Sequence, residues 1–125
     1  MKRLRKRRDF VRVRETGKKV GGRFLSLQIA LADPDLKNGA LYRVGFTATK
    51  RLGNAVERNR ARRRMRVLAT TILSEYAVQD LDFVLLARKP ILEARFSDLI
   101  LELRTLLERV QINALLAENG VVKVW

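Results

Sequence analysis

The chain has 125 residues, 47% of them hydrophobic, with a formal net charge of +14 and a pI near 11.3. This length suits one domain with one core, and the apolar fraction excludes a disordered basic tail. The sequence has no Cys and no His, which removes thiol nucleophiles, His general bases, thiolate zinc sites and disulfides together.

No apolar run reaches the roughly 18 residues of a membrane-spanning helix. The start, MKRLRKRRDF, has no apolar stretch behind its charges, so no secretory signal is expected there. Asp9 and the lack of Ser argue against a mitochondrial transit segment. A cytoplasmic chain is expected, consistent with the absence of Cys. All of the positive excess lies in residues 1–66, while residues 67–125 are slightly acidic. Such asymmetry implies a polyanionic partner, and nucleic acid is favoured over a membrane surface because the most basic helix has a core face to bury.

In chain order, residues 1–8 read as a basic arm, disordered until a partner binds. Asp9 is the expected N-cap of a short helix running to Thr16 and ended by Gly17. Phe10 and Val13 share its apolar side. Phe10 is either a core residue or a stacking platform for a base. Arg23 to Leu31 alternates as a half-buried strand, with Leu25, Leu27, Ile29 and Leu31 on one side and Phe24, Ser26 and Gln28 on the other. ADPDLKNGA then supplies turn signals at Asp33-Pro34 and Asn38-Gly39. Leu41 to Thr49 is a second strand, expected to form a hairpin with the first. Val44, Phe46 and Ala48 face one way, and Arg43, Gly45, Thr47 and Thr49 face the other.

The most informative stretch is TATKRLGNAVERNRARRRMR, Thr47 to Arg66. Gly53 permits a tight or left-handed turn and Asn54 is an N-cap candidate, opening a helix to about Ala77. Helical spacing puts Arg58, Asn59, Arg62, Arg63 and Arg66 on one flank. Ala61, Met65, Leu68, Ala69, Ile72, Leu73 and Tyr76 form the adjoining core stripe. Like charges at i,i+4 destabilise a helix, and the dipole disfavours cations near its N-terminus. Only Glu57 offsets them. A solvated basic face is the plain alternative, but an anion site explains a cluster held against both effects. The free N–H groups from Asn54 to Glu57 offer a second anion site.

Asp82 to Arg88 reads as a buried strand ended by Lys89-Pro90, so strand, helix and strand make a βαβ unit with a parallel pair. Ser97 is the expected cap of a last helix with Leu99, Leu103, Leu106, Leu107 and Val110 as its core stripe, ending near Asn119-Gly120. The tail VVKVW is either a short strand or a loose end. Asp80 and Asp82 read as solvated turn residues. No paired carboxylates suit two-metal chemistry, no Walker loop occurs, and Ser26 and Ser74 have no base, so the chain reads as a binding subunit.

Taken together, RVGFTATKRLGNAVERNRARRRMR resembles the signature of the bacterial ribonuclease P protein subunit. Supporting matches are Arg8-Asp9-Phe10, the Gly22-Arg23-Phe24 strand start and DFVLLAR at Asp82 to Arg88, so the resemblance covers most of residues 4–110. It implies an α+β fold, an α/β sandwich with an approximately four-stranded mixed sheet, three helices and a left-handed βαβ crossover. It implies a single RNA-binding domain over 1–125, with 111–125 outside the match. The expected function is to bind a catalytic RNA and the 5′ leader of precursor tRNA, with Mg²⁺ and the hydrolysis belonging to the RNA. No protein catalytic residue, protein partner or membrane is implied. Catalytic RNA is expected at Lys50, Arg51, Arg58, Asn59, Arg60, Arg62, Arg63 and Arg66. The leader is expected in a cleft near Phe10, Thr47, Arg51, Arg58 and Asn59, with Arg14 and Gln28 standing where the family often has aromatics. A ribosomal or RNA-chaperone type of RNA-binding protein is the alternative. A major-groove DNA reader is disfavoured, because the helix lacks the mixed Gln, Ser and Asn of base readout.

Overall fold

The computed structural model describes residues 2–32, 42–76 and 81–110. Five strands and three helices follow in the order β1 (Lys2–Arg3), α1 (Arg7–Thr16), β2 (Lys18–Gly21), β3 (Leu25–Leu31), β4 (Tyr42–Thr47), α2 (Ala55–Leu73), β5 (Leu81–Ala87) and α3 (Phe96–Arg109). Short 3₁₀ turns over Ser74–Tyr76 and Lys89–Leu92 follow α2 and β5. The α+β class holds with five strands instead of about four. The additional ones are β1 and β2, too short to show a period in the sequence.

The strand order is β1-β4-β5-β3-β2. β5 occupies the centre, antiparallel to β3 and parallel to β4, so the βαβ expectation stands and the β3–β4 hairpin does not. The physical reason lies in β5. Leu81 to Leu85 are buried on both faces, as a central strand requires, and β5 separates the two strands that are adjacent in sequence. β3 forms its hairpin with β2, pairing Gly21 with Ser26.

Alternation along the strands divides the apolar groups between two layers. Leu25, Leu27, Ile29, Val44, Phe46, Phe83 and Leu85 face α2 and α3 and form the main core with Met65, Leu68, Ile72, Leu99, Leu103 and Leu106. On the opposite face, Ala30 and Val84 pack with Val13 of α1, with Leu4, and with the partly buried Phe10 and Leu86. The α2 stripe from Ala61 to Leu73 and the α3 stripe, including Val110 at its end, therefore stand as read.

Four local expectations are corrected. The arm is part of the fold: Lys2 and Arg3 pair in parallel with β4, and Leu4 is buried. α1 begins at Arg7 with Lys6 at the cap position and no side-chain cap. Asp9 sits inside the helix, buried, because its carboxylate faces Arg12 one turn on and Arg43 of β4 across the layer. Arg95, not Ser97, precedes α3, and no side chain caps it. Asp82 is fully buried, for reasons given in the Discussion. The turn expected over 32–40 falls outside the described residues from 33 onward. Leu41, Ala77, Asp80, the Tyr76 side chain, the expected α3 end at Asn119-Gly120 and the VVKVW tail also lie outside them.

Candidate nucleic-acid interface

α2 opens with a complete capping box. The Asn54 side chain accepts from the Glu57 backbone N–H at 2.9 Å, and the Glu57 carboxylate accepts from the Asn54 N–H at 3.0 Å. Such a cap is worth about 1 kcal/mol. Gly53 enters this turn at φ 157°, and a Cβ there would strike the Glu57 carboxylate. The acidic group that the basic run needs near its start is thus already committed to the cap.

Beyond the cap, the arginines separate by direction. Arg64 turns toward the other side of the fold, where its guanidinium donates to the Ala94 carbonyl; this member of the triple-arginine run ties α2 to the segment before α3. Arg62 is half-buried and donates to Asn59 Oδ1 at 3.2 Å and to the Ala48 carbonyl at 3.4 Å. Asn59, Arg60, Arg63 and Arg66 are exposed, and Arg58 is half-buried with an Nε–H that finds no partner among the described residues. None of the ion pairs among the described residues involves an arginine of α2. Arg58, Arg62 and Arg66 stand at successive i,i+4 positions, each such pair costing a few tenths of a kcal/mol. Lys50 and Arg51 are exposed in the turn before α2, closed by the Leu52 N–H on the Thr49 carbonyl at 3.0 Å.

On the opposite face of the sheet, over β3, β5 and β4, lies a groove of about 440 Å³ between α1 and the sheet. Phe10, Val11 and Arg14 form its helical wall, Gln28, Thr47, Val84 and Leu86 its floor, and Arg5 and Arg7 its N-terminal wall. Among the described residues, the charged side chains that line it are all arginines. Phe10 reaches over the sheet because position 45 is glycine: a Cβ there would stand 2.5 Å from the Phe10 ring and 3.2 Å from Leu4. A half-buried aromatic edge, an apolar floor, two amide or hydroxyl groups and three guanidinium groups suit an unpaired strand, with bases against Phe10 and phosphates against arginines.

Of the residues expected near a leader, the structure brings Phe10, Arg14, Gln28 and Thr47 into this groove; Arg51, Arg58 and Asn59 are not among its lining residues. Sequence reading missed Arg5 and Arg7 as groove walls. The signal was Leu4, a lone apolar residue in the basic stretch that could have marked the segment as anchored.

The ribonuclease P family model matches residues 1–111. The ribonuclease P protein component of Paramagnetospirillum magneticum is 44% identical over 109 residues, covering 86% of this chain and 81% of that protein. That of Gluconacetobacter diazotrophicus is 38% identical over 110 residues, covering 88% and 91%. The solved RNase P protein of Staphylococcus aureus superposes with a TM-score of 0.69 at 25% identity, covering 86% of this chain and 94% of that one. The Thermotoga maritima RNase P protein shares the fold, with a TM-score of 0.70 at 24% identity and coverage of 87% and 97%. With an arginine-lined groove beside a helix whose arginines form no ion pair among the described residues, and a family match spanning nearly the whole chain, the protein belongs to the bacterial ribonuclease P protein family.

Proposed function

We propose that this subunit of a ribonucleoprotein endoribonuclease works by holding RNA at two adjoining surfaces. The exposed flank of α2, with Arg58, Asn59, Arg60, Arg62, Arg63 and Arg66 and the preceding Lys50 and Arg51, binds the catalytic RNA. The groove at Phe10, Arg14, Gln28 and Thr47 receives the single-stranded 5′ leader of precursor tRNA; Arg51, Arg58 and Asn59 extend its path toward α2. Hydrolysis, with its Mg²⁺, belongs to the RNA. Among the described residues no three acidic, His or Cys side chains converge as a cation site, so no step is assigned to a metal held by the protein. Among the described residues no helix is long and apolar enough to cross a membrane, and a cytoplasmic location is part of the proposal.

The observation that carries this reading is the arginine flank of α2 left without carboxylate partners. Guanidinium groups that repel one another in the free protein gain most from phosphate, which neutralises them and accepts paired hydrogen bonds. If roughly six to ten phosphates are met, affinity falls by several orders of magnitude over a modest rise in salt.

The test is reconstitution with a ribonuclease P RNA at low Mg²⁺, measuring cleavage of a leader-bearing precursor. Addition of the protein is expected to increase cleavage. Arg58→Ala and Arg62→Ala are expected to weaken RNA binding while the fold, followed by circular dichroism, is kept. RNA binding equal to the parent in both variants defeats the α2 assignment. RNA binding without any gain in cleavage favours a ribosomal or chaperone-type role.

A further inference from the structure

β1 is two residues long, yet its alternation gives it two different jobs. Leu4, just after it, turns to the α1 side, packed with Val13 and Val84, and its N–H donates to the Val44 carbonyl at 2.9 Å. Arg3, one residue earlier and paired with Val44, turns to the α2 side. Its guanidinium carbon stands 5.4 Å from the centre of the Phe46 ring, within the range of a cation–π contact. The ring thus draws an exposed arginine of the edge strand toward the face of the sheet that α2 covers. Burial lowers the pKa of Arg3, and so do the fields of Arg66, Arg5 and Arg62. No ion pair among the described residues joins Arg3, Arg5, Arg62 or Arg66 to a carboxylate.

We propose that Arg3, Arg62 and Arg66 form one phosphate site, in which the edge strand β1 is the second jaw of the α2 surface and grips a backbone phosphate of a folded RNA. The proposal rests on the reading of α2 as an RNA-binding face and adds the N-terminal strand to it. Two elements distant in sequence hold cations toward one region, and the Phe46 ring favours the Arg3 rotamer that lies on this face before any ligand arrives. A phosphate bridging the two elements also relieves the repulsion among the arginines, so binding and the docking of β1 reinforce each other.

The experiment is a salt titration of ribonuclease P RNA binding for the parent, Arg3→Met, Arg66→Met, the double variant, Arg3→Lys, and Arg58→Ala as reference. Met keeps an apolar stem for Phe46 and removes the charge. Arg3→Met is expected to lose about tenfold in affinity and to reduce the salt slope by about one. The Arg3→Met and Arg66→Met losses should be less than multiplicative when combined, because they share one phosphate. Arg3→Lys should restore the slope. An unchanged slope in Arg3→Met overturns the proposal. Arg3→Lys behaving like Arg3→Met also overturns it, since the effect then comes from strand packing. If Arg58→Ala loses RNA binding while Arg3→Met matches the parent, only the β1 jaw is lost. If neither loses binding, the reading of α2 is lost with it. A competition arm with inorganic phosphate separates the sources: protection of the Leu4 N–H from exchange by free phosphate equal to that by RNA overturns the assignment to an RNA backbone.

Discussion

Asp82 and Arg43 meet as a fork. Arg43 Nε donates to Oδ1 at 2.8 Å and Nη2 to Oδ2 at 2.7 Å, and the carboxylate has no exposed surface. Arg12 of α1 also donates to Oδ2, and its other guanidinium nitrogen donates to the Leu31 carbonyl at 2.7 Å. Asp9 lies 3.6 Å from Arg43, which completes a two-acid, two-base cluster between α1 and the sheet. The cluster fixes the helix that forms one wall of the groove. Replacing Asp82 by Asn leaves two partly buried guanidinium groups without their main counter-charge, with an expected cost of about 3 kcal/mol. Urea denaturation measures it; a loss below about 0.5 kcal/mol means that water reaches the site and the cluster does not anchor α1.

Glu102 of α3 offers a second, separable test. Its carboxylate accepts three backbone N–H groups at the start of β3, from Arg23 at 2.5 Å, Phe24 at 2.9 Å and Leu25 at 3.1 Å. Those donors fall where the β2–β3 turn has no strand partner for them, so the side chain stands in for a ladder. Glu102→Gln keeps one acceptor and presents an NH₂ to the rest. The expected loss is about 2 kcal/mol, read from the urea midpoint, with RNA affinity equal to the parent. A variant as stable as the parent shows that solvent satisfies those N–H groups equally well.

Much of α2 was legible because its signals are local. Asn54, Glu57 and a stripe from Ala61 to Leu73 follow from a cap and a 3.6-residue period within one segment. Strand order was not legible, because it depends on which strand the sheet buries on both faces. LDFVLLA carries that information only as a run without polar alternation, apart from Asp82 near its start. The wrong hairpin could have been suspected from the connection, since residues 32–40 exceed the two to five residues typical of hairpin loops. Asp82 itself reads as a turn residue beside Asp80 until Arg12 and Arg43, far away in sequence, are brought against it. Half of the groove was readable for the converse reason. Thr47 and Gln28 follow from strand alternation, whereas Arg5 and Arg7 needed the anchoring of Leu4.

On the outer surface, Glu75 receives two hydrogen bonds from Arg104, at 2.8 and 3.1 Å. The hydrogen bonds from Arg104 hold the Glu75 carboxyl below its ordinary value of 4.5, against the opposing effect of desolvation and with the help of the Arg104 charge. A depressed acid contributes stability above its unfolded pKa and loses it as pH falls through the folded one. Glu75→Gln is therefore expected to be slightly less stable than the parent at neutral pH, by far less than the Asp82 variant. The two should converge as pH falls below about 4.5. A gap that persists at pH 2 assigns the effect to packing and not to charge.

Gly45 gives the sharpest test of the groove, because it moves Phe10 without touching any charge. An added methyl would stand 2.5 Å from the Phe10 ring, closer than real side chains approach, while Leu4 is at 3.2 Å. The clash is with the far end of a half-buried side chain, whereas the Leu4 atom is the Cβ of a buried residue, so Gly45→Ala is expected to displace Phe10 and leave the main core intact. Stability then falls by about 1–2 kcal/mol, lost from the smaller layer of Leu4, Val13 and Val84. Affinity for a leader-bearing precursor should fall toward that of Phe10→Ala, while affinity for mature tRNA and for the catalytic RNA alone stays at the parent level. If precursor and mature tRNA lose equally, the groove does not discriminate the leader and Phe10 is simply a packing residue. If Gly45→Ala weakens leader binding but Phe10→Ala does not, the floor at Thr47 and Gln28 carries recognition instead of the ring.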